Sequence, residues 1–324
     1  MSRLSHTMLL LLISIVLAGW LANTQLSLIR INSQELWQLL TTWHVHNMGE
    51  LIIAQLRLPR FVMALIVGSA LACSGCTMQA ITTNPLASPS LFGVNAGAAL
   101  GLVVATLFAI PVQFGDTLLS MAGAALCWGL VMLIGAIGQA SQLRLILAGV
   151  MISTFCGALT KALLLFHESS SHSLLSQLAG SLAGVRWPVV QQTAVVVIPL
   201  CLLLWMLSSR LNLFALGSTH TQLLGIATWQ WQFIFSLITL ILVASIVSHC
   251  GYFGFVGLIV PHLARRLVGH RHQRLIPCAA LLGASLVCWA DLLSRAISFP
   301  TETPAGAVLA LIGAPFFLYL VRRQ

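Results

Sequence analysis

The sequence predicts an all-α membrane protein with about ten transmembrane helices and both termini on the cytoplasmic side. Composition, length and the distribution of charge carry that expectation. Apolar residues make up 59% of the 324 residues, and Asp, Glu, Lys and Arg only 6%, against about 25% charged residues in an ordinary soluble domain. The mean hydropathy is +0.99. A soluble fold of this size cannot keep its surface wet with 15 basic and 6 acidic side chains, so the solvent is a bilayer. A span needs about 20 residues and a connection about 10. Residues 1–324 therefore read as a single transmembrane domain, with no room for a soluble catalytic one.

The first span covers 8–28. Arg3 and the run from Met8 to Leu21 resemble a secretory signal, but nine more apolar runs follow, which favours an uncleaved span entered from the cytoplasm. The others are read at 58–80, 93–112, 116–138, 143–166, 188–208, 230–250, 254–268, 276–297 and 305–321. Arg57, Pro59 and Arg60 open the second. Gly93, Gly97 and Gly101 recur every four residues in the third, and Gly306, Ala310 and Gly313 do similar service in the tenth. Small residues at this spacing let helix backbones approach closely. The eighth is short for a full span, and Pro261 marks a tilt or a break. Between the sixth and seventh, 209–229 is the longest polar insertion on the cytoplasmic side. Its apolar Leu213, Leu216, Leu223, Leu224 and Ile226 suit two short helices broken at Gly217 and Gly225. These would serve as a membrane-surface helix or as a knob in a groove of a cytoplasmic partner.

In a soluble protein the net charge of +9 would point to nucleic acid. In a membrane protein basic residues belong in cytoplasmic loops, so no nucleic-acid partner is expected. Arg3, Arg144, Arg210, Arg265, Arg266, Arg271, Arg274, Arg322 and Arg323 then lie inside. Glu35, Glu50, Asp116, Glu168, Asp291 and Glu302 lie on or toward the outside. Arg57 and Arg60, on the outer side, run against the trend. They read either as interfacial anchors or as an outward basic site for an acidic partner or an anion. Asp291 and Arg295 are four apart on one helical face, either as a self-neutralising pair or as a docking point. Lys161 and Glu168 read as structural.

Cys73 and Cys76 form a CxxC with Ser74 and Gly75 between them. Inside a span, helix packing is favoured over redox or metal chemistry. No acid sits at a span centre, where Gln79, Asn84, Asn95 and Thr160 are the polar groups available. Carriers driven by ion gradients usually need buried carboxylates or His relays. A passage powered from outside its own chain is the better reading, with a secondary carrier as the competing class. His262 reads as structural, and no second His at ligand spacing supports a metal. Nothing resembles a Walker loop, a zincin, a nucleophile elbow or a Ser/His/Asp set, so neither catalysis nor a resident cofactor is expected.

Four segments resemble the signatures of the FecCD-type permeases of ABC importers, in the family's order. They are LRLPRFVMALIVGSALACSGCTMQAITTNPLASPSLFGVNAGAALG from Leu56 to Gly101, GFVGLIVPHLARRLVGHRHQRLIP from Gly254 to Pro277, ADLLSR from Ala290 to Arg295, and TPAGAVLALIGAPFFLYL from Thr303 to Leu320. The resemblance covers nearly the whole chain. It implies a ten-span permease like that for vitamin B12, in a bacterial inner membrane. It also implies a second, homologous or identical permease subunit, a cytoplasmic ATPase dimer that hydrolyses the ATP, and a periplasmic substrate-binding protein. The cargo it implies is a ferric chelate, iron(III) dicitrate or a siderophore, with haem or vitamin B12 as the alternatives. By the same resemblance, Arg57, Arg60 and Arg295 meet acidic residues of the binding protein. Leu216, Gly217, Leu224 and Gly225 contact the ATPase, and Ser141 and Gln142 belong to an inner gate.

Overall fold

The computed structural model describes residues 2–24, 47–108, 115–136, 142–166, 174–214, 228–297 and 302–322. Every regular element among them is helical. In chain order the main ones are α1 (Ser2–Thr24), α2 (Met48–Ile52), a π turn (Ile53–Arg57), α3 (Leu58–Ile81), a 3₁₀ turn (Pro89–Phe92), α4 (Val94–Leu107), α5 (Gly115–Ala136) and α6 (Gln142–Phe166). They continue as α7 (Trp187–Met206), α8 (Ser208–Phe214), α9 (Thr228–Cys250), α10 (Val256–Val268), α11 (His272–Ile297) and α12 (Ala305–Arg322). Each of the ten expected spans coincides with one of these helices. Among the described residues, six helical segments are long and apolar enough to cross a bilayer, and the apolar parts of α1, α4 and α12 are shorter. The protein is a multi-pass membrane protein.

α3 is the centre of the bundle. Within Met48–Ile81, 78% of the most apolar window is buried, against 22% in α5, α6 and α7. α11, α10, α9 and α7 pack around α3. Large side chains such as Leu126, Leu133, Met151, Phe155 and Val195 face outward. That distribution is inverted for water and natural for lipid or a partner helix.

Glycine sets the helix separations. A Cβ on Gly68 would overlap the carbonyl oxygen of Gly283, and one on Gly283 would overlap that of Gly68, so α3 and α11 touch backbone to backbone. Gly97 and Gly123 stand in the same reciprocal relation between α4 and α5. The expected contact role of Gly97 is thus borne out. Gly306 lies against the carbonyl oxygens of Ala179 and Tyr252, and Gly313 against the ring of Phe255.

Pro261 neither breaks nor ends its helix. α10 is continuous through it. Proline removes the N–H that would bond the carbonyl four residues earlier, here that of Gly257. This oxygen points at Gly75, where a Cβ would collide with it, an arrangement suited to a Cα–H···O contact. Gly75 between the two cysteines is therefore a packing glycine. All eight cysteines are free thiols, and Cys127 and Cys156 bring their sulfurs to 3.3 Å between α5 and α6.

The second span departs from expectation at its start. Its helix begins at Met48, ten residues before Leu58, and passes through the π turn. In that turn Leu58 N–H bonds the carbonyl of Ile53. The carbonyl of Ala54 would need the N–H of Pro59, which has none. The indole of Trp187 donates to it instead, at 2.7 Å. The π turn thus absorbs Pro59 within a helix, where its neighbours Arg57 and Arg60 are held in the interior. Separately, the third span ends at Leu107, short of the expected 112.

Candidate functional site

Two polar clusters sit at opposite ends of α11. The 19 positions from His272 to Asp291 rise about 28 Å along a helix, close to the thickness of a hydrocarbon core.

The arginine cluster is built on α3, on the last turns of α11 and on the segment before α12. Arg60 donates from Nε to Asp291 Oδ1 at 2.9 Å and Oδ2 at 3.2 Å, and from Nη2 to Asp291 Oδ1 at 2.8 Å. Its Nη1 donates to Glu302 Oε2 at 2.7 Å. Arg295 donates from Nη2 to the other Asp291 oxygen. Asp291 is thus shared by two guanidinium groups, and all three Arg60 nitrogens are engaged. Arg57, Arg60, Asp291 and Arg295 are buried, as is Glu50. Such fork-to-carboxylate pairing is the strong form of the ion pair. Burial makes both partners depend on it, because removing one strands a desolvated charge. Ser294 Oγ bonds the Asp291 carbonyl at 2.8 Å, and Thr303 Oγ1 bonds the Ser294 carbonyl at 2.7 Å. These bonds fix the strand of chain that carries Glu302.

The opposite end joins α8 to the start of α11. Asn212 Oδ1 accepts from His272 N at 3.0 Å and from His272 Nδ1 at 2.8 Å. Asn212 Nδ2 donates to Gln273 Oε1 at 2.9 Å, and Gln273 Nε2 to Ser209 Oγ at 3.0 Å. The Trp205 indole donates to the Gln273 carbonyl at 3.1 Å. Arg210 stacks over Trp231 of α9, with 5.3 Å to the ring centroid. The described start of the expected coupling stretch, within α8, is therefore tied to both α9 and α11. Nearby, Arg265 bonds Gln79 of α3, and Gln79 Nε2 donates to the Leu258 carbonyl at 3.3 Å.

A cavity of about 230 Å³ opens between α3, α4 and the 252–258 stretch, with Ser88, Ser90, Asn95 and Tyr252 in its wall. The remaining polar groups noted within spans have local duties. Thr160 bonds the carbonyl of Cys156 at 2.8 Å, and Asn84 accepts Leu86 N–H at 2.9 Å in a turn.

The structure brings Arg60 and Arg295 onto one carboxylate and places Arg57 among the buried residues close by in the chain. Leu216, Gly217, Leu224, Gly225 and Ser141 lie outside the described residues, and Gln142 is the first residue of α6. Sequence reasoning missed Glu302 as the second partner of Arg60, and Asn212, His272 and Gln273 as a joint. Asp291 and Arg295 announce themselves by their spacing, but an ion pair across 231 positions has no signal in a single chain.

The family model described as the FecCD transport family matches residues 8–323. The chain belongs to this family. Among FecCD relatives, the Fe(3+) dicitrate transport system permease protein FecC of Escherichia coli is 36% identical over 331 residues, covering 100% of both chains. The Fe(3+)-citrate import system permease protein YfmD of Bacillus subtilis is 41% identical over 278 residues, covering 85% of this chain and 82% of its own. Among solved structures, a metal-chelate type ABC transporter in an inward-facing conformation superposes with a TM-score of 0.84 at 32% identity, covering 99% of this chain and 100% of the other. The FecCD match over residues 8–323 thus takes in both clusters.

Proposed function

We propose that this chain is the permease subunit of a binding-protein-dependent ABC importer that moves a ferric chelate, iron(III) dicitrate or a siderophore, across the bacterial inner membrane. The observation that carries the reading is likeness over full length to an iron(III) dicitrate permease, together with a solved metal-chelate ABC transporter as structural counterpart. ATP is hydrolysed by a cytoplasmic ATPase dimer, so this chain needs no cofactor. A second permease subunit completes the passage, and a substrate-binding protein delivers the chelate. The arginine cluster faces the periplasm and receives that protein. The stretch following α8, including Leu216, Gly217, Leu224 and Gly225, contacts the ATPase, while Ser141 and Gln142 lie at the inner gate. Closure of the ATPase dimer moves that stretch and alternates access. Because the α8 network holds the start of α11, this movement reaches a helix whose far end carries Asp291 and Arg295.

The test is uptake of labelled iron by a strain lacking the gene and by the complemented strain, with ferric citrate and several siderophores offered in turn. Uptake of one chelate that requires both this chain and the ATPase supports the reading. Uptake that survives loss of the ATPase and collapses with the proton gradient overturns it in favour of a secondary carrier.

A further inference from the structure

The two carboxylates on Arg60 are unequal. The Asp291 side chain is 4% exposed and is held by two arginines, whereas the Glu302 side chain is 43% exposed. Asp291 sits within a helix, and Glu302 lies in the short connection leading to α12. We propose that Glu302 is a stand-in ligand, occupying on Arg60 Nη1 the position that an acidic side chain of the substrate-binding protein takes on docking. The inference rests on the docking role given above to the arginine cluster, and it names the group that docking must displace.

The chemistry favours exchange at this one nitrogen. Arg60 Nε and Nη2 are committed to a buried carboxylate whose removal would strand two desolvated cations. Nη1 is committed to a half-exposed one, and exposed ion pairs contribute little to stability. An incoming carboxylate restores the same charge-assisted hydrogen bond, so the guanidinium is never left bare. The Arg60–Asp291 pair remains as a preset platform. Partners without a matching carboxylate meet Glu302 itself, whose charge repels acidic surfaces placed out of register. Release of Glu302 also loosens the connection ahead of α12, three residues before Ala305, while Thr303 stays bonded to Ser294. Docking would thereby reach the first turn of α12, where Gly306 is packed on Gly180.

The experiment measures binding of the substrate-binding protein of the same transport system to the complete permease–ATPase complex in lipid nanodiscs, at low salt. Glu302→Gln removes the competitor's charge, so affinity should rise about three- to tenfold, chiefly through faster association. Unchanged or weaker binding by Glu302→Gln overturns the proposal. The triple variant Arg60→Gln, Asp291→Asn, Arg295→Gln removes the platform while leaving none of those three positions with a buried charge that has lost its partner. It should melt within a few degrees of the parent and lose binding at least tenfold. Parental affinity in that triple variant, or no binding to the parent complex, overturns the docking reading and the stand-in with it. Loss of binding in the triple variant without tightening in Glu302→Gln overturns the stand-in alone.

Discussion

Asn212 caps α11 from a different helix. Its side-chain oxygen takes the backbone N–H of His272 and the ring Nδ1–H of the same residue, satisfying a donor that a helix start leaves open. Most caps come from the residue just before the helix. Here the cap is tertiary, so the start of α11 cannot move relative to α8 without losing it.

Asn212→Ala should cost about 1–2 kcal/mol, read as a lower melting temperature of the purified protein in detergent. Asn212→Asp keeps the accepting oxygen and adds a negative charge at a helix N-terminus, where it is favourable, so it should retain most of the stability. Equal melting of the alanine variant and the parent would show that the cap carries no weight.

Asp291→Ala leaves Arg60 and Arg295 buried without the carboxylate they share. A broken buried pair costs about 3–5 kcal/mol. The folded fraction recovered from membranes, measured by gel filtration of a fluorescent fusion, should fall severalfold. The same assay should show only a small loss for Glu302→Ala, whose carboxylate is half exposed.

Gly68→Val and Gly283→Val should each abolish the folded peak, because a Cβ at either place meets backbone that cannot yield. Gly129→Ala and Gly157→Ala should leave it intact, since nothing lies within 4 Å of a Cβ there. Equal yields from the two groups would mean that the α3–α11 approach is not set by glycine.

Trp187→Phe keeps the ring and deletes the donor to the Ala54 carbonyl. The bond is part-buried, and leaving its carbonyl unsatisfied costs at most about 1–3 kcal/mol, so the melting temperature should drop. Trp187→Phe melting like the parent would show that the π turn closes without the indole.

Much of this architecture is legible in the sequence, because lipid enforces it. A bilayer requires long apolar helices, so the ten spans follow from composition, and glycine at four-residue spacing announces close approach at Gly97. The site is legible only in its local part. Asp291 and Arg295 share one helix face, so their pairing is written in their spacing. The meeting of Arg60 with Asp291 and Glu302 depends on the packing of α3 against α11, and Asn212 meets His272 only once α8 folds beside α11. The early start of the second span was hidden because Pro59 is ordinarily a helix-start signal, and the π turn overrides it.

That π turn has a consequence for how the chain can change. It holds one residue more than an α-helix would use. The surplus residue is taken up within that one turn, so the helix on either side keeps its face. Deleting a residue from 53–56 would let the turn close as ordinary α-helix, with Glu50, now buried, still directed inward. The same deletion in the regular part of α3 would instead rotate everything before it by about 100° and shift it about 1.5 Å. The π turn is therefore the place in this helix where the count of residues can change while its faces stay fixed, and length variants there should be tolerated better than length variants elsewhere in α3.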